Sequence, residues 1–137
     1  MRIFHGPQNI GGMAGLLAQA QRTLGYSAEA VCLPGGAFQF PADRVFPTGN
    51  PLALASLPWQ FDVFHFYFGE SLFGSRLVDV PWLKRLGKKV FFHFCGCDIR
   101  DSKQTIARHA TSACAECWPQ LRRSQALGDR NRADRRR

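Results

Sequence analysis

The stretch that most limits what this chain can become is Lys88–Asp101, KKVFFHFCGCDIRD. From Val90 to Gly96 every residue is apolar, aromatic or glycine except His93. That run has the length of a buried strand and is far too short to cross a membrane. It stops at Gly96 and is followed at once by Cys97, Asp98, Arg100 and Asp101. A strand buried on both faces that ends in glycine and then in reactive side chains is expected at the ligand-binding edge of a parallel α/β sheet.

A second run has the same grammar. Phe61–Gly69, FDVFHFYFG, also sets one histidine, His65, inside an aromatic strand and ends on glycine. Between the two, Ser71–Gly87 holds a helical segment with Pro81 near its first turn and Gly87 as its cap. Strand, helix and strand with short links predict two parallel, neighbouring strands. His65 and His93 should then sit at similar depth near one carboxyl-end edge, as a candidate catalytic pair or as two satisfied core histidines.

At the amino end, Arg2–His5 reads as a strand broken by Gly6-Pro7. Ile10-Gly-Gly-Met-Ala-Gly15 then opens a helix running to about Leu24, with Leu16, Leu17, Ala20 and Leu24 near one face and Gly25 as C-cap. Such a loop either brings backbone N–H groups to a phosphate at a helix N-terminus or is a tight turn that needs small residues. Ser27–Leu33 is a second strand, with Cys32 as a core hydrophobe. Residues 37–60, with four prolines, read as irregular, with a short strand near 38–40 and a helical turn near 52–56. Past Asp101 the α/β pattern fades into weakly helical residues 102–113.

The 137 residues are 45% hydrophobic and include twelve phenylalanines, enough for one aromatic-rich core. The net charge of +8 is unevenly spread: residues 1–121 hold 11 cations against 8 acids, and residues 122–137 hold seven arginines against two acids. Basicity concentrated in a segment with almost no apolar residues predicts a disordered tail rather than a specific nucleic-acid surface. With no secretory signal, a cytoplasmic chain with reduced cysteines is the expectation. Cys95, Cys97, Cys114 and Cys117 form two close pairs, which leaves a zinc site open as an alternative: a small α/β binding module whose basic tail touches nucleic acid.

These motifs together resemble the N-terminal half of a GT-B glycosyltransferase of the family 4 or family 1 type. The likeness rests on the Asn9–Gly15 loop and its helix, on Asp62–Gly69, and on Pro81–Arg100, where many relatives have a lysine-rich turn, a hydrophobic strand and HGxDxR. It spans about residues 1–101. The resemblance implies a Rossmann-like, three-layer domain with a mainly parallel sheet over residues 1–121 and a disordered tail over 122–137. It implies transfer of a sugar from a nucleotide-sugar donor to a sugar or lipid acceptor, with no further cofactor and no metal. Gly11 and Gly12 would lie by the donor phosphate, and Cys95, Gly96, Asp98 and Arg100 would line the acceptor side. One departure is Cys95, which stands where relatives carry the histidine nearest the reacting sugar; His93 and His65 are the remaining candidates. No E-x7-E donor motif and no second Rossmann pattern are found. The expectation is a truncated half, inactive without a C-terminal donor-binding domain. Its tail is then either an altered reading frame or an ordinary basic extension.

Overall fold

The computed structural model describes residues 1–34, 40–96, 98–109 and 111–114. The chain divides into two compact units, Met1–His93 and Phe94–Arg137.

The first unit is a five-stranded, all-parallel sheet: β1 (Arg2–His5), β2 (Ser27–Cys32), β3 (Arg44–Val45), β4 (Val63–Tyr67) and β5 (Lys89–His93). Its spatial order is β3-β2-β1-β4-β5. This is a Rossmann-like arrangement, and the strand order reverses between β1 and β4, where such sheets open a crevice at their carboxyl ends.

Strand alternation divides the core into two layers. One face carries Phe4, Val31, Phe64 and Phe66, packed with Leu57 of α2 (Pro51–Gln60) and Leu83 of α3 (Val80–Arg85). The Phe4, Phe61, Phe64 and Phe66 rings meet edge-on or tilted at centroid distances of 5.3–6.2 Å, geometry that aromatic quadrupoles favour. The other face carries Ile3, Ala28, Ala30, Val63 and Tyr67 under α1 (Met13–Thr23).

The α1 footprint differs from the apolar pattern. Ala14 and Ala18 are buried and Leu17 packs beside them, while Leu16 and Leu24 face solvent. The covered stripe is 14, 17, 18 and 21, and its last member is the polar Gln21. Two alanines let the helix approach the sheet closely, and Gln21 is accommodated because it has a partner there.

β5 corrects a second expectation. It lies at the end of the sheet, so only one of its sides is paired among the described residues, and Phe91 is half-exposed. Of the two aromatic strands, β4 alone is buried on both faces. The segment before it is also more regular than its prolines predict. α2 runs for ten residues with Pro51 in its first turn, and the Asn50 side chain accepts from the Ala53 N–H at 3.0 Å. The strand expected near 38–40 falls mostly outside the described residues; β3 lies just after it. The helical segment expected within 71–87 is α3, with Asp79 before it and Pro81 in its first turn. Ahead of it, Asp79 is buried and accepts from the Ser71 hydroxyl at 2.5 Å and the Leu72 N–H at 3.1 Å.

Gly6 shows why β1 must end as it does. Its φ is +152°, and a Cβ there would sit 2.0 Å from the Val31 carbonyl oxygen. No other residue fits.

In the second unit, Asp98 accepts from the N–H groups of Cys95 and Gly96 at 3.0 and 2.8 Å. Asp101 caps α4 (Ser102–Arg108) by accepting from the Gln104 N–H at 3.1 Å. Cys97, Cys117 and the tail 122–137 lie outside the described residues. Among the described residues no helix is long and apolar enough to cross a membrane.

Candidate functional site

Three adjacent parallel strands bring five ring side chains to one face of the sheet. His5 on β1 pairs in register with His65 on β4, and Tyr67 on β4 pairs with His93 on β5. His65 and His93 are therefore offset by two residues along their strands, and not level as the matching sequence positions imply. The rings lie nearly parallel: His5 and His65 have centroids 4.6 Å apart, Tyr67 and His93 4.8 Å, and His65 meets His93 edge to edge at 5.0 Å, with interplanar angles of 16–24°. Phe91 closes the outer side, 5.1 Å from His65.

Hydrogen bonds fix the protons. The Gln21 carbonyl oxygen only accepts, so His5 Nε2–H donates to it at 2.8 Å. His5 Nδ1 then holds the lone pair, and the Tyr67 hydroxyl donates to it at 2.6 Å. His5 is fully buried, neutral and satisfied on both nitrogens. Across the stack, His65 Nδ1 and His93 Nε2 are 2.7 Å apart. One ring must donate and the other accept, so the neutral pair carries complementary tautomers.

Burial lowers the pKa of all three histidines. For His65 the value falls to about 4, through burial first and then through repulsion from His5 and His93. At neutral pH the stack is uncharged. A first proton entering the His65–His93 pair keeps the N–H···N bond intact, whereas a second removes its acceptor. The pair thus stays neutral at pH 7 and is harder to protonate twice than once.

At the carboxyl ends of β1 and β4, the following loops are tied together where Gln8 Nε2–H donates to Glu70 at 2.6 Å. The β1 loop continues through a 3-10 turn, Ile10–Gly12, into α1. Gly11 and Gly12 have φ of +62° and +76°, a left-handed pair that other residues adopt at a cost. Asn9 holds the turn by accepting from the Ala14 N–H at 3.1 Å.

Of the residues expected from sequence, His65 and His93 come together, and Gly11 and Gly12 form the loop after β1. Cys95, Gly96, Asp98 and Arg100 belong to the second unit. There the Asp98 carboxylate is taken up by its own loop, and Arg100 lies 3.8 Å from the Cys114 sulfur. The Arg100 guanidinium and Ser112 draw the Cys114 thiol below its usual pKa. Among the described residues no three histidine, cysteine or acidic side chains are placed to hold a metal.

His5, Tyr67 and Gln21 are the members that sequence reasoning missed. His5 was findable, since it ends β1 just before a glycine as His93 ends β5 ahead of one. Gln21 gave no apolar signal at all. Compared with known proteins, the chain matches no family model, and neither the curated proteins nor the solved structures include a significant match to it.

Proposed function

We propose that this chain is the acceptor-side half of a glycosyltransferase, acting on a nucleotide-sugar donor and a sugar or lipid acceptor. The observation that carries the reading is the Rossmann-like sheet with its order reversing between β1 and β4, and a left-handed glycine pair opening α1 at that edge. Ligands of such sheets bind outside the carboxyl ends of the strands at the reversal. The N–H groups of the Gly11–Gly12 turn suit a phosphate or sugar oxygen; Gly11 is open to its approach, while the Phe40 ring packs beside Gly12.

In this reading the His65–His93 pair receives the proton of the acceptor hydroxyl as it attacks the anomeric carbon. The depressed pKa values keep the pair unprotonated at neutral pH, and the N–H···N bond shares the proton once taken. His5, held by Gln21 and Tyr67, sets the position of His65 by stacking. The second half of the site, which grips the nucleotide, is assigned to a donor-binding domain in the same or another polypeptide. Aligning donor with acceptor is a large share of the catalysis in such transfers.

Calorimetric titration of the full chain with a panel of free sugars and nucleotide sugars tests this. Millimolar, saturable binding weakened at least tenfold by replacing Gly12 with valine is expected. Absence of any sugar or nucleotide-sugar binding refutes the proposal.

A further inference from the structure

The outer surface of α2 has no role in the fold described so far. The helix reads PLALASLPWQ, without one charged residue. Leu54 and Leu57 face the core, but Leu52, Ala55 and Trp59, spaced as one helical stripe, face outward. Leu52 is 82% exposed and Trp59 60%. The polar strip of α2 is only Ser56 and Gln60, bonded to each other at 2.7 Å, so the outward Leu52–Trp59 stripe is a second apolar face, of the kind that is ordinarily covered. Trp82 of α3, 36% exposed, extends the patch, its ring 6.2 Å from that of Trp59 at 52°.

The rim of the patch is cationic. From Val80 to Lys89 the chain reads VPWLKRLGKK, with four cations and no acid. Arg2 adds a fifth, its guanidinium donating to the Trp59 carbonyl at 2.8 Å. The nearby acids are engaged: Asp79 is buried against Ser71 and Leu72, and Asp62 accepts from the Arg2 backbone N–H at 2.7 Å.

We infer that the Leu52–Trp59–Trp82 face docks on an anionic lipid surface. Tryptophan settles at the headgroup level, leucine enters the acyl boundary, and lysine and arginine meet anionic headgroups. A second copy of the chain is a poor occupant, because a symmetric contact brings cationic rims together. The inference stands on this surface alone and is independent of sugar transfer.

The test uses the full chain carrying Trp118→Phe, so that only Trp59 and Trp82 emit. Vesicles of phosphatidylcholine with about 30 mol % phosphatidylglycerol should bind it, shift its emission to the blue, and quench it when the lipid tails are brominated. Lys84→Ala with Arg85→Ala should weaken binding about 25-fold, at roughly fivefold per cation. Leu52→Ser with Trp59→Ser should weaken it at least about tenfold, with far-UV dichroism and urea midpoint unchanged. Vesicle binding without quenching would mean that the arginines of 122–137 alone hold the membrane, and would overturn the inference. So would absence of vesicle binding, association with polyglutamate in its place, or self-association relieved by Trp59→Ser.

Discussion

Acidification should unfold this protein through its histidine stack, and His65 dominates the effect. In the folded chain its pKa lies at about 4, against an ordinary value of 6.5, because burial and the neighbouring His5 and His93 oppose the charge. Between those two values the unfolded chain binds a proton that the folded chain refuses, so stability falls as pH falls through that window. The contribution is complete above pH 6.5 and is lost progressively down to about pH 4. A shift of that size corresponds to about 3 kcal/mol, reduced to about 2 by partial solvent access. His5 and His93 shift in the same direction and add to the slope. Asp43 and Asp62 are depressed below 3.8, so their losses begin only at lower pH and leave the window to histidine. For Asp43, burial pushes upward but is outweighed by the Ala30 N–H and Arg22. Urea unfolding at several pH values from about 7.5 to 4.5, at fixed ionic strength, reads the effect directly. The His65→Phe variant keeps a stacking ring and removes the titration, so its stability should fall less steeply by about one proton. A wild-type curve flat across the window, or a variant with the wild-type slope, would refute the reasoning.

Other perturbations follow from single contacts. Tyr67→Phe removes the hydroxyl that satisfies the buried His5 Nδ1 and should cost about 1–3 kcal/mol in urea unfolding at pH 7. Gly6→Ala forces a Cβ to within 2.0 Å of the Val31 carbonyl and should lower the melting temperature by more than any exposed glycine replacement, a loss of about 4 kcal/mol or more. Phe64→Ala empties the centre of the aromatic layer and should cost about 3–5 kcal/mol by the same assay, with the sheet signal in circular dichroism retained in the folded fraction.

Much of this architecture is legible in the residues, and the misreadings have definite causes. Strand alternation and glycine breaks place β1, β2 and β4, and the helix-separated aromatic runs predict that β4 and β5 are parallel neighbours. β5 was read as buried because its composition is that of β4; which strand ends a sheet depends on partners that a local pattern does not contain. Of α2 only a helical turn near 52–56 is legible, because Pro51, Pro58 and the prolines around them count against a longer helix. Pro51 instead stands at its first turn, where proline is tolerated. The shared edge of His65 and His93 is legible, but their two-residue offset comes from sheet register, set by strand ends rather than by motif spacing. Gln21 was hidden because apolar periodicity is blind to a buried polar residue whose partner lies on another element.

The central claim, a sugar-binding edge at the reversal between β1 and β4, is tested most directly by amide-resolved NMR of the full chain titrated with neutral sugars and nucleotide sugars. The account predicts saturable shifts concentrated on residues 8–12 and 68–70, with His65 and His93 ring signals moving together. Shifts confined to the arginines of 122–137, or none at millimolar ligand, would contradict it.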